Sequence, residues 1–254
     1  MAASRARVAL VTGGALGLGR ATAERIVKQG GQVCIFDFSE AGEAVAKELG
    51  ASAIFQQGDV RDPAAVQHAI DATLTAFKRL DAAVSCAGIA PPAKVLGKKG
   101  PHSLALFEDV LGVNTLGTFN VARLAAEAMA LNEPGEDGMR GCLVHTASIA
   151  AFDGQIGQAA YAASKAAVSG MTLPIARDLA PHHIRCVTIA PGLFATPMMD
   201  GLPAHIKDEL ANAVPCPKRL GDPAEYAKLV ESILDNPMLN GETIRLDGAY
   251  RMPP

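Results

Sequence analysis

The chain has 254 residues, of which 49% are hydrophobic and 4% are aromatic, and it contains no tryptophan. Its 23 basic and 26 acidic side chains give a formal net charge of −3, which excludes the concentrated basic surface of a nucleic-acid-binding protein. No stretch approaches the run of about 18 apolar residues that marks a membrane span. We therefore expect neither nucleic acid nor membrane as a partner, and a core built mainly from small aliphatic side chains.

The cysteines stand far apart in apolar runs and form no C-x-x-C pair, which predicts reduced core thiols and a reducing compartment. They are Cys34, Cys86, Cys142, Cys186 and Cys216. The basic start of the chain, Met1–Arg7, has no apolar segment of the secretory kind. We expect a bacterial cytoplasmic protein, with the mitochondrial matrix as the alternative.

Short apolar runs rich in β-branched residues alternate with stretches of helical spacing along the chain. The helical stretches include Arg20–Gln29, Ala64–Arg79 and Leu116–Ala130. The predicted strands are Val8–Val11, Val33–Phe36, Ala53–Phe55, Ala82–Cys86, Cys142–His145, Cys186–Ala190 and Thr243–Leu246. This alternation predicts a doubly wound, seven-stranded parallel sheet with helices on both faces.

Two polar loops, Pro91–Ser103 and Asn132–Gly141, interrupt this rhythm, but neither is long enough to separate domains. We expect one domain over residues 1–254. Its dinucleotide-binding half covers about residues 1–150, and its catalytic and substrate-lining half covers about residues 151–254.

A glycine-rich turn, G-x-x-x-G-x-G, follows the first strand and runs into a helix. Residues without Cβ let the backbone approach a pyrophosphate at the helix N-terminus. The position between strand and helix is the context that makes such a turn a dinucleotide-binding signal. The residues expected at the cofactor phosphates are Gly13, Leu16, Gly17, Leu18 and Gly19.

Asp37 ends the second strand about 20 residues past the glycines, where an acid binds the ribose hydroxyls of adenosine. A carboxylate there repels a 2′-phosphate, and the next residue is Phe38 rather than a basic one. The sequence therefore favours NAD over NADP as cofactor. The alternative is that Asp37 merely caps a turn.

The carboxyl ends of the third and fourth strands carry further candidate cofactor contacts, because ligands bind at this edge of open parallel sheets. Asp59 is expected to accept from the adenine amino group, with Val60 beside it. Gly88 lets the backbone approach the cofactor, next to Cys86 and Ala87.

Tyr161 and Lys165 are four residues apart, which places them one turn apart on one helical face. A phenol titrates near 10, so a tyrosinate base at neutral pH needs a nearby positive charge. Lys165 can supply that charge, and the upstream Ser148 can hold a substrate oxygen within reach of Tyr161. Ser148 lacks the G-x-S-x-G setting of a hydrolase nucleophile. Asn114 is a candidate to orient a water that relays protons to Lys165.

Together these residues resemble the short-chain dehydrogenase/reductase family over essentially the whole chain. The matching residues are Thr12–Gly19, Asp59, Asn114, Ser148, Tyr161, Lys165 and Pro191–Gly192. Ser85 departs from the asparagine that the family usually has, and Leu16 replaces its usual Ser or Arg. The resemblance implies a single-domain Rossmann fold and nicotinamide-dependent oxidation of an alcohol.

A narrower resemblance concerns the type 2 3-hydroxyacyl-CoA dehydrogenases, a subfamily also called 17β-hydroxysteroid dehydrogenases type 10. The stretches that carry it include Gly157–Tyr161, Gly170–Pro181, Ile189–Phe194, Arg219–Tyr226 and Arg245–Ala249. It implies NAD-linked oxidation of 3-hydroxyacyl-CoA to 3-ketoacyl-CoA in fatty acid metabolism, by a homotetramer.

The same narrower resemblance implies further ligand contacts. The cofactor contacts it adds are Pro191, Phe194 and Thr196, and Tyr161 and Lys165 also touch the cofactor. The substrate contacts are Ser148, Gln158, Tyr161 and Leu193.

Two other functions remain open at this point. An NAD-dependent dehydrogenase of steroids, cyclic alcohols or small secondary alcohols would use the same catalytic residues with a different pocket. A non-catalytic NAD-binding regulator would have no need of all four candidate catalytic side chains. The six histidines show no metal-ligand spacing, so no metal is expected.

Overall fold

Residues 6–199 and 203–254 are described by a computed structural model of the chain. A parallel sheet of seven strands forms its centre, in the order β3-β2-β1-β4-β5-β6-β7. The strands are β1 (Val8–Thr12), β2 (Gln32–Asp37), β3 (Ala53–Gln57), β4 (Ala82–Ser85), β5 (Gly141–Thr146), β6 (Ile184–Pro191) and β7 (Thr243–Leu246). This order reverses direction at β1 and β4, where open α/β sheets bind their ligands.

Helices cover both faces of the sheet and bury two separate apolar layers. One layer packs against α1, α2 and α8, and the other against α3, α5 and α6. The helices are α1 (Gly17–Lys28), α2 (Ala41–Leu49), α3 (Pro63–Phe77), α4 (Leu104–Leu111), α5 (Thr118–Ala130), α6 (Ala159–Leu179), α7 (Ala204–Ala213) and α8 (Pro223–Asp235). A π-helical turn, Gly112–Gly117, joins α4 to α5.

The predicted doubly wound, seven-stranded parallel sheet is confirmed, and the chain forms one Rossmann domain. Two helix starts differ from the prediction. The first helix begins at Gly17 rather than Arg20, because the glycine turn runs directly into it. The region predicted as a helix from Leu116 instead begins with the π turn, and α4 precedes it.

The loop predicted over residues 91–103 contains a short antiparallel hairpin, in which Leu96–Gly97 pairs with Gly100–Pro101. It ends at Ser103, whose hydroxyl accepts from the Leu106 N–H and caps α4. Each cysteine is a free thiol, and Cys34, Cys142 and Cys186 lie in the core as predicted, whereas Cys86 is half-buried and Cys216 is exposed, so the prediction of a core position is wrong for Cys216. In the described parts of the chain, no helix is long and apolar enough to cross a bilayer.

His145 is a titratable group in the middle of the apolar core. It lies on β5 with no exposed surface, and its Nδ1 is 3.7 Å from Cys186 Sγ. Its Nε2 finds no hydrogen-bond partner among the described residues. Burial disfavours the imidazolium form and lowers the pKa of His145 from 6.5 to about 4.

This shift predicts a loss of stability in mild acid. His145 takes up a proton near pH 6.5 in the unfolded chain but only near pH 4 in the folded chain. The free energy of unfolding therefore falls by about 3 kcal/mol as the pH drops through that window. We expect His145→Asn to flatten the dependence of the melting temperature on pH between these values. The exposed His68→Asn is the matched control and should keep the wild-type slope. Equal slopes for wild type and both variants would contradict the assignment.

Candidate active site

The glycine turn brings the ends of β1 and β4 into direct contact. Gly13 has a φ of +64°, and a Cβ there would lie 2.6 Å from the Ala87 nitrogen. A Cβ on Gly19 would lie 2.1 Å from the carbonyl oxygen of Gly13. These approaches leave no room for a side chain, so the turn requires glycine at both positions.

The N-terminus of α1 is prepared for an anion. Its N-cap residue, Leu16, supplies no side-chain acceptor, and the first turn contains no acidic residue. The N–H groups and the helix dipole therefore favour a phosphate at this end. Thr196 approaches the same turn, because a Cβ on Gly17 would lie 3.4 Å from its Cβ. The cradle fits the pyrophosphate of a dinucleotide.

Asp37 lies at the end of β2, beside the glycine turn. Its Oδ2 accepts from the Ala15 N–H and its Oδ1 from the Ser39 N–H, each at 2.9 Å. These bonds hold the carboxylate at the edge of the cradle, where the ribose of a bound dinucleotide would lie. They are also the turn-capping contacts of the alternative, so the geometry accommodates both roles for Asp37.

Asp59 follows β3, and its carboxylate is engaged by the guanidinium of Arg61. The Arg61 Nη2–Asp59 Oδ2 distance is 2.6 Å, and hydrogen bonds from Arg61 lower the pKa of Asp59. Val60, next in the chain, is buried. Asp59, the predicted adenine contact, is therefore an ionised carboxylate whose orientation is fixed by Arg61.

The loop after β4 closes over the glycine turn. The Cys86 N–H donates to the Thr12 carbonyl at 3.1 Å, and the Ala87 N–H lies 3.4 Å from Thr12 Oγ1. A Cβ on Gly88 would lie 3.1 Å from Asn114 Oδ1 and 3.4 Å from Lys165 Nζ. The predicted cofactor loop and the predicted catalytic residues thus meet at Gly88.

Lys165 extends from α6 to the end of β5 and is buried. Its Nζ donates to the Thr146 carbonyl at 2.7 Å and lies 5.8 Å from the centre of the Tyr161 ring. Burial lowers the pKa of Lys165 to about 8, so the ammonium form still predominates at neutral pH. The structure therefore places a cation one helical turn from the candidate base.

Tyr161 and Ser148 form the other part of this cluster. Burial raises the pKa of Tyr161, and a hydrogen bond with Ser148 lowers it in part. Ser148 caps a short 3₁₀ turn, Ile149–Ala151, and its Oγ accepts from the Ala150 N–H at 3.1 Å. The hydrogen bond with Tyr161 places this hydroxyl beside the candidate base.

Asn114 lies in the π turn and is fully buried. Its Oδ1 accepts from the Ile89 N–H at 2.8 Å, and its Nδ2 donates to the Ile89 carbonyl and to Ser164 Oγ, each at 2.9 Å. Both ends of the amide are therefore bonded to protein groups. Asn114 therefore connects the loop after β4 to α6. These contacts favour a structural role for its side chain over the predicted role of orienting a water.

In the segment after β6, the Phe194 side chain does not face the cofactor cleft, so it is not placed to contact a nicotinamide. The Phe194 ring is buried, and a Cβ on Gly221 would lie 2.7 Å from it. The Gly221 N–H donates to the Leu193 carbonyl at 2.8 Å, and Pro191 ends β6. Contacts from this segment to a cofactor therefore fall to its backbone and to Thr196. Residues 200–202 lie outside the described residues.

Gln158 directly precedes α6 and lines a cleft of about 370 Å³. Its Oε1 accepts from the Gln155 N–H at 3.2 Å. The hairpin loop forms one wall of the cleft with Lys94, Val95 and Leu96. The opposite wall is residues 154–159, and Ala162 completes the cleft. The cleft therefore lies beside the first turn of α6, which also carries Tyr161.

Comparison with known proteins identifies the family. The family model described as short chain dehydrogenase matches residues 7–207. The chain belongs to this family. It is an oxidoreductase that acts on a CH–OH group with a nicotinamide cofactor.

Three relatives illustrate the range within the short-chain dehydrogenases. The 3-hydroxyacyl-CoA dehydrogenase type-2 of Drosophila melanogaster is 56% identical over 250 residues, which cover 97% of this chain and 98% of that protein. The crystal structure of 3-hydroxyacyl-CoA dehydrogenase type-2 from Mycobacterium avium has 43% identity and a TM-score of 0.93, covering 98% and 97% of the two chains. The ipsdienol dehydrogenase of Ips pini is 36% identical, with 96% of each chain covered.

Three contacts of this short-chain dehydrogenase site are not among those predicted from the sequence. They are the Thr146 carbonyl that accepts from Lys165, the Ser164 hydroxyl that accepts from Asn114, and the Arg61 guanidinium on Asp59. A short segment that reads D-V-R could have drawn attention to the last, because arginine pairs readily with a carboxylate two residues away. The other two depend on the fold and have no local sequence signal.

Substitution of a turn glycine tests the cradle. Gly19→Ala should lower the free energy of unfolding by about 2–4 kcal/mol and abolish NADH binding, because the new Cβ would collide with a backbone carbonyl. Gly170→Ala, in the exposed face of α6 with open space around it, is the matched control and should be neutral or stabilise by about 0.5–1 kcal/mol. Calorimetry and NADH fluorescence measure both effects. Wild-type binding by Gly19→Ala would rule out the close approach.

Proposed function

We propose that this short-chain dehydrogenase catalyses the NAD-dependent, reversible oxidation of 3-hydroxyacyl-CoA to 3-ketoacyl-CoA. The observation that carries the reaction type is the buried Lys165 ammonium beside Tyr161 and Ser148. The substrate is suggested by relatives named 3-hydroxyacyl-CoA dehydrogenase type-2, at 54–56% identity over almost the whole chain.

In this proposal Tyr161 is the general base and acid. Ser148 donates a hydrogen bond to the substrate oxygen and holds it within reach of the Tyr161 hydroxyl. Tyr161 takes the alcohol proton during oxidation and returns it during reduction. The nicotinamide ring, when bound, accepts or donates the hydride.

Lys165 makes the phenol acidic enough for this work. Burial of Tyr161 disfavours the tyrosinate. A cation favours it by charge attraction, and Lys165 Nζ lies 5.8 Å from the centre of the Tyr161 ring. The Thr146 carbonyl fixes Lys165 Nζ at the end of β5, so the charge cannot move away into solvent. Asn114 stabilises α6 and the loop at Gly88, and through them the position of Lys165.

NAD is the proposed cofactor because of Asp37. Its carboxylate is anchored at the edge of the cradle by two backbone N–H groups and followed by an exposed, apolar Phe38. A 2′-phosphate at this place would be repelled by the Asp37 carboxylate, and Phe38, the next residue, has no positive charge to offset that repulsion. The remaining proposed cofactor contacts are Gly13, Leu16, Gly17, Leu18, Gly19, Asp59, Val60, Cys86, Ala87, Gly88, Tyr161, Lys165, Pro191, Phe194 and Thr196, with Phe194 through its backbone.

The cleft at Gln158 is the proposed position of the substrate beyond its reacting carbon. It is lined by Ala162, which follows Tyr161 in α6, and by apolar side chains of the hairpin loop together with Lys94. Leu193 is proposed to close the other side. Oxidation of an uncharged secondary alcohol is the second candidate, and the 36% identity to an ipsdienol dehydrogenase supports it less strongly than the acyl-CoA relatives support the first.

Reduction of acetoacetyl-CoA with NADH, followed by absorbance, tests the proposed function. We expect turnover on the CoA ester to exceed that on a panel of free cyclic and steroid ketones. Tyr161→Phe should lower kcat by about 10²–10⁴-fold while NADH binding is retained, because it removes proton transfer and leaves the cradle intact. Turnover confined to free ketones would favour the second candidate, and tight NADH binding without any turnover would indicate a regulator.

Removal of the charge on Asp37 tests the choice of cofactor. Asp37→Asn keeps the shape of the side chain, and we expect kcat/KM for NADPH relative to NADH to rise about tenfold, which corresponds to about 1.4 kcal/mol. Glu40→Gln removes an exposed charge from the same loop and should leave the ratio unchanged. An unaltered ratio in Asp37→Asn would mean that Asp37 only caps the turn.

A homotetramer is the proposed assembly, on the basis of the narrower resemblance. Exposed apolar side chains on the π turn and α5, Leu116 and Phe119, provide a surface for subunit contacts. The free thiols suit a reducing compartment such as the cytoplasm. Sedimentation equilibrium should give about four times the chain mass of 26.2 kDa, and a mass of one chain would contradict the tetramer.

A further inference from the structure

The loop that carries Asp59 and Val60 is tied to the neighbouring helices by Arg61. The guanidinium donates from Nη2 and Nε to Asp59 Oδ2, at 2.6 Å and 2.9 Å. Its Nη1 donates to Asp109 Oδ1 on α4 at 2.5 Å. A Cβ on Gly112 would lie 3.4 Å from Arg61 Cδ, so the arginine stem also packs against the start of the π turn.

A second contact reaches the same loop from α5. Asn120 is buried, and its Nδ2 donates to the Val60 carbonyl at 2.9 Å. Its Oδ1 accepts from Arg123 Nη2 at 2.8 Å, which fixes the orientation of the amide. A Cβ on Gly117 would lie 2.4 Å from Val60 Cγ2, so helix and loop are in close contact.

We propose that Arg61, Asp109 and Asn120 form a clamp that positions Asp59 and Val60 for the adenine half of the cofactor. The clamp rests on the proposed function, in which Asp59 and Val60 contact the adenine of NAD. Arg61 holds the carboxylate in one orientation, and Asp109 holds Arg61. Asn120 fixes the backbone of the loop. These three are positioning residues, and none of them is proposed to touch the reacting atoms.

The exposure of the ion pairs separates this role from a contribution to stability. The side chains of Arg61 and Asp109 are 45% and 46% exposed. Exposed ion pairs contribute little to folding, since solvent screens them and ordering two long side chains costs entropy. The effect of the clamp is therefore expected in ligand affinity. Preorganisation of a binding group raises affinity, because the cost of ordering is met before the ligand arrives.

Binding of intact and truncated cofactor tests the clamp. The probes are NADH and reduced nicotinamide mononucleotide, which shares the nicotinamide half but lacks adenosine. Arg61→Met and Asp109→Asn should each weaken NADH binding, with about a tenfold loss expected for Arg61→Met, and leave the mononucleotide affinity unchanged. Asn120→Asp keeps the acceptor for Arg123 and removes the donor to Val60, so it should show the same selective loss. Fluorescence titration gives both affinities.

The control variant is Arg25→Gln. It also removes an arginine that joins two elements, through Glu231, but lies in the last turn of α1, away from the glycine cradle. It should bind both probes as the wild type does. Equal losses for NADH and the mononucleotide in the clamp variants would overturn the proposal, as would unchanged NADH binding in Arg61→Met.

The failure of the clamp differs from the failure of the proposed function. NADPH carries the same adenine, so a wild-type preference for NADPH would refute the choice of NAD. The clamp would then be judged by the ratio of NADPH to mononucleotide affinity in the same variants. A loss confined to the dinucleotide would support it, and its absence would overturn it.

Discussion

The buried ammonium group of Lys165 imposes the main constraint on the rest of the site. A charge taken out of water needs a fixed polar partner, and the Thr146 carbonyl at the end of β5 provides one at 2.7 Å. That contact requires α6 to cross the carboxyl edge of the sheet at one height. Tyr161, one turn earlier on α6, is then held beside Ser148, two residues after the end of the same strand. The arrangement of these candidate catalytic residues is thus a consequence of how one helix packs on one strand.

The helix that runs through α4, the π turn and α5 links the two ends of the site. Asn114 in its π turn bonds to the loop after β4 and to α6, near Lys165. Asp109 precedes the π turn and bonds to Arg61, and Asn120 follows it and bonds to the Val60 carbonyl. Both contacts are to the loop after β3. An extra residue in a π turn changes which side chains face the sheet, which allows one helix to serve both ends.

Most of the sheet could be predicted from the sequence, because strands buried on both faces appear as continuous apolar runs. The helix α4 is missing from the prediction, because a segment of eight residues gives only about two turns of apolar spacing. The π turn has no recognised pattern of side chains either. Its position depends on tertiary contacts of Asn114 with residues 25 and 50 positions away.

The proximity of Tyr161 and Lys165 could be predicted, because a spacing of four residues places two side chains on one face of a helix. Their supporting contacts could not, because every residue has a carbonyl and nothing in the sequence distinguishes that of Thr146. The cofactor contact implied for Phe194 shows a different limit, that of inference from a resemblance. A resemblance transfers the position of a residue, whereas the structure decides whether its ring or its backbone faces the cleft, and here the ring is buried.

In the proposed mechanism, Lys165 lowers the pKa of Tyr161 enough for Tyr161 to act as a base. Carbon-13 NMR of protein labelled at the ζ carbon of tyrosine follows the ionisation of each of its three tyrosines, and Tyr161→Phe assigns the signal. The titration would be made on the NAD complex of the wild type and of Lys165→Met. We predict that the pKa of Tyr161 is lower in the wild type than in Lys165→Met. Equal pKa values in the two proteins would contradict this account of the site.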